Sequence, residues 1–80
     1  MPEVLRTLGY IFFFYSNDHL PIHIHVKGKG GSARYDLEPE IKLTDSKGLK
    51  TKELKQIEKL ISQRRGQLVA AWHQYFKEKN

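Results

Sequence analysis

The chain has 80 residues, no cysteine, 39% hydrophobic residues and a formal net charge of +5. That length predicts one domain over residues 1–80, with a marginal core, since so short a domain buries only about 60–65% of its unfolded surface. Disulfides and cysteine-based zinc sites are excluded, and the longest apolar run, Tyr10 to Tyr15, is far short of the roughly 20 residues that span a bilayer.

Val4 to Leu8 forms a short apolar stretch, followed by Gly9 and the run Tyr10-Ile-Phe-Phe-Phe-Tyr15. Aromatic and β-branched residues favour a strand there, and the apolar character of both faces predicts an interior one, covered on both sides. Ser16-Asn17-Asp18 is turn chemistry. From Ile22 to Lys27 the pattern alternates: Ile22, Ile24 and Val26 share one face, and His23, His25 and Lys27 the other. Gly28-Lys29-Gly30-Gly31 predicts a hairpin turn, with Ala33 to Leu37 as its return strand. The same glycines could cradle a phosphate, but they lack any established phosphate-loop spacing. Pro39 blocks simple continuation, and Ile41 to Leu43 predicts a further short strand closed by the turn residues Asp45-Ser46-Lys47-Gly48.

The remainder predicts a helix. Thr51 is its expected N-cap, with Glu53 favourably placed in the first turn. Leu54, Ile57, Ile61, Leu68, Trp72 and Tyr75 recur at three- and four-residue steps and form one apolar stripe. That spacing runs through Gly66, so one long helix is expected, with Lys52, Lys55, Lys59, Gln63 and Lys77 on the opposite face. The predicted fold class is α+β: a small antiparallel sheet of three to four strands, within residues 3–44, packed against one long C-terminal helix of about residues 51–77.

Residues 1–50 carry seven Lys/Arg against six Asp/Glu, whereas residues 51–80 carry seven against three. This basic segment is either a solvated helix face or an attractor for nucleic acid or an acidic protein. A single long helix offers no helix-turn-helix pair. An exposed strand edge invites a homodimer or a hetero-complex. The missing cysteines fit a reducing compartment, and the N-terminus lacks a signal-peptide pattern, so a cytoplasmic location without membrane association is expected.

Three of the four histidines lie within residues 19–25. His23 and His25 project from one strand face with Cα atoms about 6.6–7 Å apart. His19, in the turn, could close over them, and Asp18 could orient a ring or complete a ligand set with His73. Three chemistries fit this spacing. Zinc or another divalent metal could bind through His19, His23 and His25. Alternatively, two histidines could act as general base and acid on an RNA 2′-hydroxyl and its phosphate, with Arg6, Lys27, Arg34 or Arg65 as the cation. The third reading is a plain partner-binding or structural surface. Arg65 falls inside the apolar stripe, so it either snorkels outward or enters the sheet face as a site residue. The aromatics Tyr10 to Tyr15 are mostly expected in the core, though such residues can also stack nucleic-acid bases.

The stretches Phe13-Phe-Tyr-Ser-Asn-Asp-His19, Pro21-Ile-His-Ile-His-Val26 and Ala71-Trp-His-Gln-Tyr-Phe76 resemble a bacterial family known as domain of unknown function four-one-six-zero. The likeness runs from about Val4 to Phe76. Its motif residues are matched here by Tyr15, Ser16, Asp18, His19, Pro21, His23, His25, Trp72 and His73. Many relatives have a longer stretch between the histidine and the proline, which sets His19 apart. The resemblance supplies no established catalytic residues. It implies a component of a toxin–antitoxin module, more often the toxin, with a cognate small protein encoded by a neighbouring gene as partner.

The expectation is therefore a toxin-like protein acting on RNA or translation, with a nuclease-like activity. His23 and His25 would carry the chemistry with His19 and Arg65 beside them, while Asp18, Tyr15, Lys27, Arg34 and His73 bind or orient. The alternatives are a non-enzymatic antitoxin or DNA-binding regulator, and a metal-binding domain.

Overall fold

A computed structural model describes residues 3–76. Five strands form one antiparallel sheet in the order β1-β2-β3-β4-β5: β1 Glu3–Thr7, β2 Tyr10–Phe13, β3 His23–Gly28, β4 Gly31–Asp36 and β5 Lys42–Lys47. Two helices follow, α1 Thr51–Gln63 and α2 Arg65–Phe76. The α+β class stands. The strand count of three to four and the single helix are corrected.

The strand expected at Ile41 to Leu43 is longer than its composition suggests, because turn chemistry was overruled by pairing. Asp45, Ser46 and Lys47 have turn-forming side chains, yet Ser32 pairs with Lys47, Ala33 with Ser46 and Arg34 with Asp45, which extends β5. All of β5 is exposed, so it carries no apolar pattern that would mark it as a strand. β1 and β2 are joined by Leu8 and Gly9, both at positive φ (53° and 84°), the conformation of a tight two-residue hairpin. Lys29 and Gly30 (54° and 82°) do the same between β3 and β4. Gly28, at φ 156°, lies so close to the first hairpin that a Cβ would strike the Gly9 carbonyl oxygen.

One face of the sheet carries the core. Tyr10, Phe12, Ile24, Val26 and Tyr35 pack there against Ile57 and Ile61 of α1 and Leu68, Trp72 and Phe76 of α2. The Tyr35 hydroxyl donates to the Leu54 carbonyl at 2.9 Å, tying β4 to α1. The opposite face holds His25, Lys27 and Phe13, which alternate with the core residues along their strands.

The helix breaks at Arg64, not Gly66. Arg64 leaves helical geometry (φ −119°, ψ 18°), and its N–H is shared between the Leu60 and Ile61 carbonyls at 3.1 Å each. A twisted sheet curves away from a straight rod. The break lets both halves keep their apolar residues on the core. The stripe ends on buried Phe76, while Tyr75 is 37% exposed. The N-cap is Lys50, one residue before Thr51, and its N–H donates to the Glu53 carboxylate at 2.9 Å. Lys52, Lys55, Lys59 and Gln63 are all exposed; Lys77 lies outside the described residues. Among the described residues, no helix is long and apolar enough to cross a membrane.

Candidate metal centre

The site is built by the segment between β2 and β3. Phe14 turns into the core against Trp72, with ring centroids 5.3 Å apart. The next residues form a tight turn in which the Asp18 N–H donates to the Tyr15 carbonyl (3.1 Å) and the Tyr15 N–H donates to Asp18 Oδ2 (2.8 Å). This reciprocal pair is why aspartate suits the turn. It also holds the carboxylate against the first residues of β3.

His23 and His25 both face that carboxylate. His23 Nε2 lies 3.2 Å from Asp18 Oδ1, and His25 Nε2 lies 3.1 Å from Oδ2. The two rings are 5.0 Å apart and nearly perpendicular. His23 is 2% exposed, covered by Trp72 at 5.1 Å. The side chains of Asp18 and His25 are 11% and 16% exposed. One ligand atom from each of the three residues lies within 4.8 Å of the others.

The tautomer of His23 is fixed from behind. Its Nδ1 lies 2.8 Å from the Pro21 carbonyl oxygen, which can only accept, so the neutral ring carries its proton on Nδ1. Nε2 then presents a lone pair inside a buried site. It has no aligned hydrogen-bond partner among the described residues, although Asp18 Oδ1 is only 3.2 Å away. Two electron-rich atoms at this separation repel unless a cation stands between them. A proton placed on Nε2 does not point straight at the carboxylate. A cation shared by the three residues, whether a proton or a metal ion, would nonetheless relieve that repulsion.

The electrostatics agree with an ionised carboxylate and a neutral His25. Burial alone would raise the Asp18 pKa. The Tyr15 N–H, the hydrogen bond from His25 and the nearby imidazoles outweigh it and hold the carboxyl below its ordinary value. Burial pushes the His25 pKa down against the pull of Asp18, and His23 and Arg34 push it down further. Neutral imidazole and ionised carboxylate are the forms that ligate metals.

The other residues singled out in the sequence are distributed around this centre. Asp18 occupies the place in the cluster that spacing offered to His19. His19 is exposed and lines a cavity of about 640 Å³ with Asp18, Leu20, Trp72 and Phe76. Tyr15 lies edge-on to His25 at 4.6 Å, and Phe13 stacks on the same ring at 5.5 Å. Arg34 is the cross-strand partner of His25. Lys27, exposed, sits one alternation further along β3. His73 is exposed in the last turn of α2. Arg65 neither snorkels freely nor faces the histidines: its Nε donates to the Leu37 carbonyl at 2.8 Å and Nη2 meets Glu38 at 3.2 Å. Sequence reasoning missed the Pro21 carbonyl and the Trp72 cover. The Pro-x-His spacing was the available signal for the first.

The donor set fits a divalent ion of the zinc class. Ligands about 2.0–2.1 Å from zinc in a tetrahedron stand about 3.3 Å from one another; the two Asp18–histidine separations of 3.1–3.2 Å match this, while the set as a whole spans up to 4.8 Å and would draw together around an ion. Two histidines and one carboxylate leave at least one position open.

A family model, described as the domain of unknown function DUF4160, matches residues 9–73. No curated protein and no solved structure matches the chain.

Proposed function

The chain belongs to this DUF4160 family of domains of unknown function, and we propose that its working part is a divalent metal centre held by Asp18, His23 and His25. The observation that carries this reading is the buried Nε2 of His23, which has no aligned hydrogen-bond partner among the described residues and lies beside a carboxylate and a second imidazole. Three protein ligands with an open position are the pattern of catalytic rather than structural zinc sites. A divalent ion held by these three residues would activate a bound water and so supply a nucleophile for hydrolysis near neutral pH.

The direct test is elemental analysis of protein purified without a histidine tag, followed by calorimetric titration with zinc, nickel and manganese. One equivalent of metal bound to the wild type, and loss of that binding in His25→Ala, is the expected result. Metal-free protein that neither binds nor is stabilised by any of the three ions would overturn it.

A metal-free reading is favoured by a different contact. Asp18 and His25 form a hydrogen-bonded carboxylate–imidazole pair, the arrangement of a general base. Activity that survives exhaustive chelation would select this reading over the first. The toxin-like action on RNA or translation, as part of a two-gene module, is the biological setting we propose for either chemistry. Its support is the family resemblance and the basic charge.

A further inference from the structure

We propose that the open face of the sheet binds single-stranded nucleic acid, with one nucleotide seated in a groove between Tyr15, Lys27 and Lys47. This surface adjoins the metal centre, because Tyr15 and Phe13 both touch His25. It rests on a separate set of residues and does not depend on metal.

The groove has a volume of about 450 Å³, of the order of a small-molecule site. It is lined by Phe13, Tyr15, Lys27 and Lys47 together with the small residues of the β3–β4 turn. Among the described residues, no acidic side chain lines it. Strand register explains the convergence: Lys27 pairs with Ser32, and Ser32 with Lys47, so the two lysines stand in one row across three strands. Their Cα atoms are about 10 Å apart at the usual strand spacing, and both long side chains can reach one phosphate between them. In the neighbouring row, Arg34 stands between His25 and Asp45, with its Nε buried.

The groove therefore brings two lysines and an exposed aromatic ring together. Tyr15 is 45% exposed, whereas the neighbouring Phe13 is 3% exposed and supports it edge-on at 5.2 Å. A phosphate joined to a planar base matches that pairing of charge and ring. An acidic peptide would use the lysines but leave Tyr15 unused.

The test is fluorescence anisotropy of labelled single-stranded RNA and DNA oligonucleotides with chelator-treated full-length protein over a range of salt. Lys27→Ala/Lys47→Ala should weaken binding at least tenfold. It should also flatten the salt dependence by about 0.7 log units per log unit of salt, the share of the one phosphate that the two lysines no longer neutralise. Tyr15→Ala should weaken binding at least fivefold, with Tyr15→Phe close to wild type. Lys55→Ala/Lys59→Ala should leave binding unchanged, and binding by the chelator-treated protein separates this inference from the metal reading. Unchanged thermal unfolding in the lysine variants excludes a folding defect. The inference is overturned by absence of binding to both oligonucleotides, by loss of binding in the Lys55/Lys59 variant instead, or by poly-glutamate competing as well as RNA.

Discussion

Replacing Asp18 with asparagine separates a structural carboxylate from a functional one. The substitution preserves shape. The side-chain oxygen can stay at the Oδ2 position, where it accepts from the Tyr15 N–H at 2.8 Å and from His25 Nε2 at 3.1 Å. The amide nitrogen then takes the Oδ1 position, 3.2 Å from the lone pair on His23 Nε2. Two hydrogen bonds lose the strengthening of a charged acceptor, about 0.5–1.5 kcal/mol each. Against this, the repulsion between carboxylate and lone pair disappears. The metal-free variant should therefore unfold within about 1 kcal/mol of wild type, a Tm difference of no more than about 8 °C for a domain this size. With metal the two proteins should diverge. An ion at one hundred times its Kd stabilises the wild type by about 2.7 kcal/mol, or about 11–22 °C. The introduced amide supplies no charged ligand, so most of that shift should vanish. Differential scanning fluorimetry with and without zinc reads both quantities. A metal-free variant destabilised by about 3–5 kcal/mol, the cost of breaking a buried ion pair, together with no zinc shift in wild type, would refute the reasoning.

Tyr35 gives a pH-dependent prediction. Burial, reinforced by the charge of Glu58, pushes its phenol up to about 12 from 10.0. The folded state therefore retains this proton above the pH at which the unfolded state loses it. The stabilisation is complete below about pH 10 and is lost as the pH rises towards 12. Urea unfolding should show an alkaline decline in wild type that is reduced in Tyr35→Phe, which also loses about 1 kcal/mol at neutral pH with the Leu54 hydrogen bond. Arg65→Met should cost about 1–3 kcal/mol through the abandoned Leu37 carbonyl. The half-exposed pair with Glu38 adds little, and metal binding should be unaffected. Inducible expression in a bacterium without the neighbouring gene should arrest growth. Unimpaired growth, or arrest that persists in His23→Ala/His25→Ala, would count against the toxin-like setting.

The legible parts of the fold were those with a two-residue alternation or a strong turn signal. His23, Ile24, His25 and Val26 could be assigned to faces from the sequence because apolar and polar residues alternate there. β5 was not legible beyond its first residues, because an exposed edge strand has nothing to alternate against. The break at Arg64 leaves no mark either, since the apolar period of the helices continues across it and only the curvature of the sheet requires it. At the site, the pair His23–His25 followed from strand geometry alone. The place of Asp18 depended on how the turn folds back, and the tautomer of His23 on a carbonyl two residues earlier. Side-chain spacing carries no information about backbone acceptors. Arg65 could be recognised as anomalous within an apolar stripe, but its partners lie in a connection whose path the sequence leaves open.

Each strand of this sheet pairs only with its neighbours in sequence, and the three proposed ligands span just residues 18–25. Closing so short a segment costs little chain entropy, and contacts of this kind form early in folding. A metal ion could therefore find its complete ligand set on a chain whose helices have not yet docked. Its binding energy would then act as folding energy. In that case the ion would be a nucleus for the domain as well as its reactive centre, and the rate of refolding, not only the final stability, would rise with metal concentration.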